Sequence, residues 1–288
     1  MDSRYLKSLI AVVDSGSIAD AARAEGLTAA AVSQRIQALE RELGVELLSR
    51  AGHAARATDA CVALLPRARR IVGEVALLAG DADDEGLTGT LRIGAISTAL
   101  TGMLPRVLRT LTERAPGLRP AIVPGTSRWL YQALLAGEID AAILVAPPFE
   151  LPRTLRARLL RQEELILLAR RRLRGDAAAL LQSQPYIRYD PNAWGGRLAQ
   201  RYLDDQGLRP ALLCDLDALE TIALLAADGV GVSLVPRWNG LEKLAAGCRM
   251  EAVESGQAGL YRRELILLTP VQGARPNMLQ LLAEAIPA

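Results

Sequence analysis

The stretch GLTAAAVSQRIQALERELG, Gly26 to Gly44, decides how this chain is read. In it Val32, Ile36, Leu39 and Leu43 are spaced four, three and four apart. A helix gathers all four on one face, and that face belongs to a core. The remaining positions of its first two turns, Ala30, Ala31, Ser33, Gln34, Arg35 and Gln37, carry hydrogen-bonding groups on little bulk. Small residues let a helix approach a major groove closely, and Gln or Arg reads base edges. A solvated surface helix accounts for the same Gln and Arg, because both are good helix formers.

Upstream, Leu6, Leu9, Ile10 and Val13 predict a helix over residues 2–14 that stops at Gly16. Ser17 caps a short second helix with Ile18, Ala21 and Ala22 inward, Glu25-Gly26-Leu27 closes it, and Thr28 caps the third. Two helices joined by a tight turn, the second bearing a small polar face, follow the helix-turn-helix plan. Downstream, Leu47 to Arg50 and Ala55 to Ala57 read as the strands of a wing, with Gly52 in its turn and His53, the only histidine, as a solvated residue at its tip. Arg50 and Arg56 then face phosphates, giving affinity without sequence information.

At 288 residues, 50% hydrophobic and 23% charged, the chain is long enough for two or three folded domains. Its net charge of +2 names no partner. Met1 to Thr58 hold seven bases (Arg4, Lys7, Arg23, Arg35, Arg41, Arg50, Arg56) and seven acids (Asp2, Asp14, Asp20, Glu25, Glu40, Glu42, Glu46), so a DNA footprint must be a local patch. Cys61, Cys214 and Cys248 are an odd set without C-x-x-C spacing, which argues against a disulfide framework and against zinc. No metal or cofactor is expected. The apolar run Leu9 to Val13 is too short for an export signal or a membrane span, so a cytoplasmic protein with no membrane partner is expected.

From Asp59 to Ala79, Leu64, Ala68, Ile71, Val75 and Leu78 are spaced four, three, four and three, a heptad seam to be buried by a second helix or by the protein's own body. Pro66 is expected to kink its first turns. GDADDEGLTG, Gly80 to Gly89, is an acidic, glycine-bounded hinge. Beyond it LRIGAI reads as a buried strand. A helix follows, capped by Ser97 and Thr98, with Leu100, Leu104, Val107, Leu108 and Leu111 inward. A strand (Leu118 to Val123), a helix (Ser127 to Leu135) and a strand (Ile139 to Val145) continue the alternation, and a second such unit runs from about Glu164 to Val235. This order implies parallel sheets flanked by helices.

In open sheets of that class ligands bind outside the carboxyl ends of the strands. Ser97, Thr98, Thr126 and Ser127 occupy two such ends and suit a carboxylate or similar anion, although helix capping explains each of them singly. Tyr189 and Asp190 are the counterparts across the cleft. Arg128, Trp129 and Trp194 nearby suit an aromatic or carboxylated ligand, while both tryptophans also fit a core role.

GSIADAARAEGLTAAAVSQRIQALERELGVELLSR resembles the DNA-binding domain of LysR-type transcriptional regulators, through Gly16, Ser17, Ala21, Ala22, Ala31, Val32, Ser33, Ile36, Leu39, Glu40, Leu43, Gly44 and Leu47. It departs at Ala29 and Ala30, where polar residues or proline are common, at Leu47-Leu48-Ser49-Arg50 for Leu-Phe-x-Arg, and at Thr58-Asp59-Ala60-Cys61, which lacks a glycine. LLAGEIDAAI (Leu134 to Ile143) and DGVGVSLVP (Asp228 to Pro236) resemble two stretches of the same family's effector domain. The resemblance implies a dimerising linker helix over Leu64, Ala68, Ile71, Val75 and Leu78, dimers joined into homotetramers on a promoter palindrome of double-stranded DNA, and RNA polymerase as a further possible partner. It also implies an effector domain folded like periplasmic solute-binding proteins, two lobes around a small-molecule cleft, with Arg262 to Leu268 and a terminal helix Asn277 to Ala285 returning to the first lobe.

The expected organisation is therefore a winged helix-turn-helix domain at 1–58, a linker helix at 59–80, a hinge at 81–90 and an α/β effector domain at 91–288. Lobe I covers about 91–162 and 268–288, and lobe II about 163–267. Thr28, Ala30, Ser33, Gln34, Arg35, Gln37, Arg50 and Arg56 are the expected DNA contacts. Ser97, Thr98, Thr126, Ser127, Tyr189 and Asp190 are the expected effector contacts. The rival is a cytosolic two-lobed enzyme acting on a small anionic metabolite. With its one histidine in the wing the chain cannot assemble a Ser-His-Asp or Cys-His site in the cleft, and it has neither a phosphate-binding G-x-x-x-x-G-K-[ST] nor a third glycine in GVGVSL. GVSLV around Ser233 also fails as a nucleophile elbow. A secreted solute-binding protein would have no use for the N-terminal domain.

Overall fold

The structure, a computed structural model, describes residues 1–51, 54–81, 86–253, 260–273 and 275–286. Gly52, His53 and residues 82–85 of the expected hinge lie outside them, as does the side chain of Arg50. The chain forms two units, Met1–Gly89 with Leu135–Glu138, and Thr90–Leu134 with Ile139–Ala288.

The first unit runs α1 (Ser3–Ser15), α2 (Ile18–Glu25), α3 (Ala29–Leu43), β1 (Leu48–Ala51), β2 (Ala54–Ala57) and α4 (Asp59–Asp81). Asp2, Ser17 and Thr28 cap the first three helices by accepting from backbone amides one turn in, and Gly16, Gly26 and Gly44 end them in the left-handed conformation. Leu6, Leu9, Ala21, Ala22, Val32, Ile36 and Leu39 form one core, as the spacing predicts. Val12, which the spacing does not single out, is fully buried with them, while Ile10, Val13 and Ile18 are only partly buried against it. Leu43 does not join the core. It is exposed on the last turn of α3, and Leu47, arriving from the loop, is fully buried in that core instead. The strands β1 and β2 pair antiparallel, Leu48 opposite Ala57.

The seam of α4 divides in two. Cys61, Leu65 and Ala68 are buried in the first unit's own core, with Leu64 packed against it, so Ala68 is a core residue of the monomer and not an outward seam position. Ile71, Val75 and Leu78 are 37%, 44% and 64% exposed. The helix continues for 23 residues through Pro66, which lies on its exposed side, where only one backbone bond is forgone.

The second unit runs β3 (Gly89–Ala95), α5 (Ser97–Gly102), α6 (Leu104–Arg114), β4 (Leu118–Pro124), α7 (Ser127–Leu135), β5 (Ala141–Val145), β6 (Leu155–Arg170), α8 (Ala177–Ser183), β7 (Tyr186–Tyr189), α9 (Gly196–Asp205), β8 (Leu212–Leu216), α10 (Leu219–Asp228), β9 (Ser233–Pro236), α11 (Leu241–Leu244), β10 (Cys248–Ala252), β11 (Arg262–Pro270) and α12 (Pro276–Ala285). Where the sequence predicts one helix after Ser97 there are two. Pro105, near the start of α6, cannot donate back into α5, and the chain re-starts at Leu104.

The larger sheet has the order β10-β6-β11-β5-β3-β4, with β9 also on β6. It is mixed, not parallel: β3 and β5 are parallel, whereas β11 is antiparallel to both β5 and β6. The 16-residue strand β6 explains the mixture. Its first part pairs with β11 as far as Glu164, and its second, from Leu165, pairs with β9 and β10. One strand thus leaves the first lobe and enters the second near Glu163. In that second part alternate residues serve two cores: Leu165, Leu167 and Ala169 pack with α8 and α9, and Ile166 and Leu168 with α10. A strand buried on both faces reads as a continuous apolar run, here ELILLA.

The family-like stretches have local physical reasons. Asp140 accepts from the Arg92 backbone amide at 2.7 Å and from its guanidinium at 2.8 Å, tying β3 to the start of β5. Gly231 passes so near Pro185 that a Cβ would stand 2.5 Å from its carbonyl oxygen. Ser233 is fully buried and donates to the Ile187 carbonyl at 2.6 Å, which leaves it no role as a nucleophile.

Candidate functional site

The helix-turn-helix presents the outer face of α3. The turn is fixed by the Leu27 amide donating to Ala22 at 2.9 Å and by the Thr28 hydroxyl accepting from Ala31 at 3.2 Å. Thr28, Ala29, Ala30, Gln34 and Gln37 are exposed, and Ala31 and Ser33 half-buried. Arg56 is exposed on β2, and Arg50 lies on β1 with its side chain outside the described residues.

Arg35 departs from its expected role in base reading. Its guanidinium donates to the Ser8 hydroxyl at 3.0 Å and stands 3.7 Å from the Glu25 carboxylate, to which Ser8 donates at 2.6 Å. Arg35 therefore holds α3 to α1 and α2. The position lies on the flank of α3 next to the buried stripe, so a long side chain there reaches a buried acid more readily than a groove. Glu40 is another internal anchor: its carboxylate accepts from the amides of Leu47 at 2.8 Å and Leu48 at 3.2 Å, fixing the approach to the wing.

In the second unit a cleft of about 560 Å³ opens between the lobes. All six expected effector residues line it: Ser97, Thr98, Thr126 and Ser127 from the first lobe, Tyr189 and Asp190 from the second. Several are already engaged. Ser127 accepts from the Val145 amide at 3.1 Å, Thr126 accepts from the Trp129 amide at 3.3 Å, and Thr98 accepts from Arg263 at 3.3 Å. Ser97 and Thr98 do not cap α5, whose capping position is Ile96 and carries no side-chain bond. Asp190 accepts from the backbone and side chain of Asn192. Its loop is tightly folded, since a Cβ on Gly196 would meet the Asp190 carbonyl oxygen at 1.9 Å. Burial raises the Tyr189 phenol above its ordinary range, with nearby Arg263 opposing the shift.

Sequence reading missed three further residues. Arg263 and Glu163 are 1% and 3% exposed and face each other on β11 and β6, the guanidinium donating to Glu163 at 2.7 and 2.5 Å. Arg263 also lines the cleft. A charged pair at the edge of two apolar strands has no periodic signature, and only the crossing of β6 brings the two together. Asp217, just after β8, lines the cleft too. Desolvation raises its carboxyl above the ordinary range, the charge of Asp190 adds to this, and Arg263 opposes it. Its position at a strand end was the available signal.

The tryptophans separate. Trp129 is exposed on α7, against the expectation of a core role, whereas Trp194 is buried and lines the cleft. Trp194 meets Tyr131 and Phe149 edge-on at 5.9 and 5.6 Å, a cluster that joins the two lobes. Among the described residues no group of His, Cys, Asp and Glu is arranged to hold a metal, and no helix is long and apolar enough to cross a membrane.

A helix-turn-helix unit joined to a two-lobed unit with a ligand-sized cleft is the architecture of a ligand-responsive DNA-binding regulator. Residues 3–62 match the model for bacterial regulatory helix-turn-helix proteins of the lysR family, and residues 84–288 match the LysR substrate binding domain. The HTH-type transcriptional regulator TtuA of Agrobacterium vitis is 31% identical over 252 residues, covering 83% of this chain and 81% of TtuA. A full-length OxyR variant from Pseudomonas aeruginosa, 21% identical, superposes with a TM-score of 0.72 over 99% of this chain and 94% of that one. CbnR complexed with its target DNA, 22% identical, gives 0.68 over 99% of both chains. The chain belongs to the LysR family of transcriptional regulators, with a DNA-binding helix-turn-helix and an effector-binding domain. The rival reading of the cleft as an enzyme's active site falls with that membership.

Proposed function

We propose that this regulator binds a promoter palindrome as a dimer or a pair of dimers, with Thr28, Ala30, Ser33, Gln34 and Gln37 on the groove and Arg50 and Arg56 on phosphates. The observation that carries the DNA half is the asymmetry of the first turns of α3: Val32, Ile36 and Leu39 are buried, and the exposed face of the turns that would enter a groove holds only small residues, Gln and a capping Thr. Ile71, Val75 and Leu78 supply an uncovered apolar row for a second linker helix. The hydroxyls of Ser97, Thr98, Thr126 and Ser127 with Arg128 hold the acid group of a small effector. The effector acts by binding one conformation of the regulator more tightly than another. The protein works in the cytoplasm, beside RNA polymerase at the promoter.

The test is selection of fragments of genomic DNA by the purified protein, followed by a salt titration on the retained sequences. A shared palindrome whose affinity falls steeply with salt is the expected result. Equal retention of random fragments contradicts sequence-specific recognition.

A further inference from the structure

The charge in the cleft is unevenly distributed. The first lobe contributes hydroxyls and the Arg128 guanidinium, whereas the second contributes two carboxylates, Asp190 and Asp217. Those two come from neighbouring parallel strands. Tyr189 pairs with Leu216, and the Asp190 amide donates to the Leu216 carbonyl at 2.9 Å, so the acids leave adjacent strand ends side by side. Arg263, a cation of the cleft wall whose charge acts on Asp217, is committed to Glu163 through two of its nitrogens. Among the charged residues lining the cleft, Arg128 and Arg263 balance Asp190 and Asp217 in number, but Glu163, buried against Arg263 and outside the lining, offsets the Arg263 charge, which disfavours an effector carrying negative charge alone. The same wall holds Trp194, whose ring is a second natural partner for a cation.

We infer that the effector is zwitterionic, of the amino-acid class: a protonated amine rests between Asp190, Asp217 and Trp194 on the second lobe, while its acid group reaches the hydroxyls and Arg128 of the first. This rests on the proposed acid-binding role of the first lobe and adds the cationic half. A ligand charged in this way bridges the cleft, because each end is complementary to one lobe only.

The experiment is a binding titration of the full chain, read by tryptophan fluorescence and thermal shift. The probes are the L-amino acids, the 2-oxo acids that correspond to them and the primary amines left by their decarboxylation. At least one amino acid should bind, with its 2-oxo acid and its amine each about tenfold weaker or worse. Asp217→Asn and Asp190→Asn should weaken the amino acid about tenfold and leave any residual 2-oxo acid binding unchanged or improved. The comparison is made within each variant, so partial unfolding, which weakens both probes alike, is distinguished. A 2-oxo acid that binds as well as its amino acid overturns the inference and leaves the acid-binding reading standing. An amine that binds as well as its amino acid retains the Asp190–Asp217 subsite and overturns the acid-binding reading. No binding by any probe overturns both.

Discussion

Long polar side chains do opposite work at neighbouring residues of α3. Gln34 and Gln37 extend from the exposed face, whereas Arg35 turns to Ser8 and the Glu25 carboxylate. Truncating Arg35 leaves a buried acid with only a hydroxyl partner, at a cost of about 1–3 kcal/mol. Arg35→Ala should therefore lower the melting temperature of the DNA-binding unit and reduce binding to all duplexes in proportion to the folded fraction. A loss confined to the palindrome at unchanged melting temperature would return Arg35 to the groove. Gln34→Ala or Gln37→Ala should give the reverse pattern: melting unchanged, and discrimination between operator and random DNA reduced by about 1–3 kcal/mol for each bidentate base interaction removed. Competition binding against random duplex measures it.

Among whole elements, α4 serves two masters along its length. Its first turns supply Cys61, Leu65 and Ala68 to the core of its own unit, and its later turns leave Ile71, Val75 and Leu78 exposed in a row. An uncovered row at heptad spacing has little reason to exist in a monomer and suits an identical helix. Val75→Asp should weaken self-association by about a hundredfold, since two buried charges would face one another across the pair. Sedimentation over a concentration series reads the change, and an oligomer that persists unaltered would rule this face out as the contact. Strand β6 divides in the same way, pairing with β11 in one lobe and with β9 and β10 in the other.

Across the effector-binding unit as a whole, the point where β6 changes partners is where Glu163 meets Arg263 beside the cleft. Breaking a buried pair costs about 3–5 kcal/mol, because it strands a charge, whereas replacing both partners by apolar residues costs much less. Glu163→Gln should lower the unit's unfolding free energy by an amount of that order, and adding Arg263→Met to it should recover part of the loss. Chemical denaturation of the two variants decides the matter, and a double variant no more stable than the single one would show that the loss does not come from a stranded Arg263 charge. The amine subsite belongs to the same level of organisation, since its two acids and aromatic wall come from one lobe and the hydroxyls opposite from the other, far apart along the chain.

Local features could be read from the order of residues without further help. Helical spacing, caps and glycine stops located the three helices of the DNA-binding unit, and alternating strands and helices placed six cleft residues at strand ends. These features rest on interactions within a few residues, and a period or a cap records them. The inward turn of Arg35, the surrender of Ala68 to the monomer's core, the mixed sheet and the Glu163–Arg263 pair arose only when distant segments met in three dimensions. A flexible charged side chain goes to whichever partner is nearest in space. A strand pairs with whatever edge it meets, and neither choice leaves a repeat in the sequence.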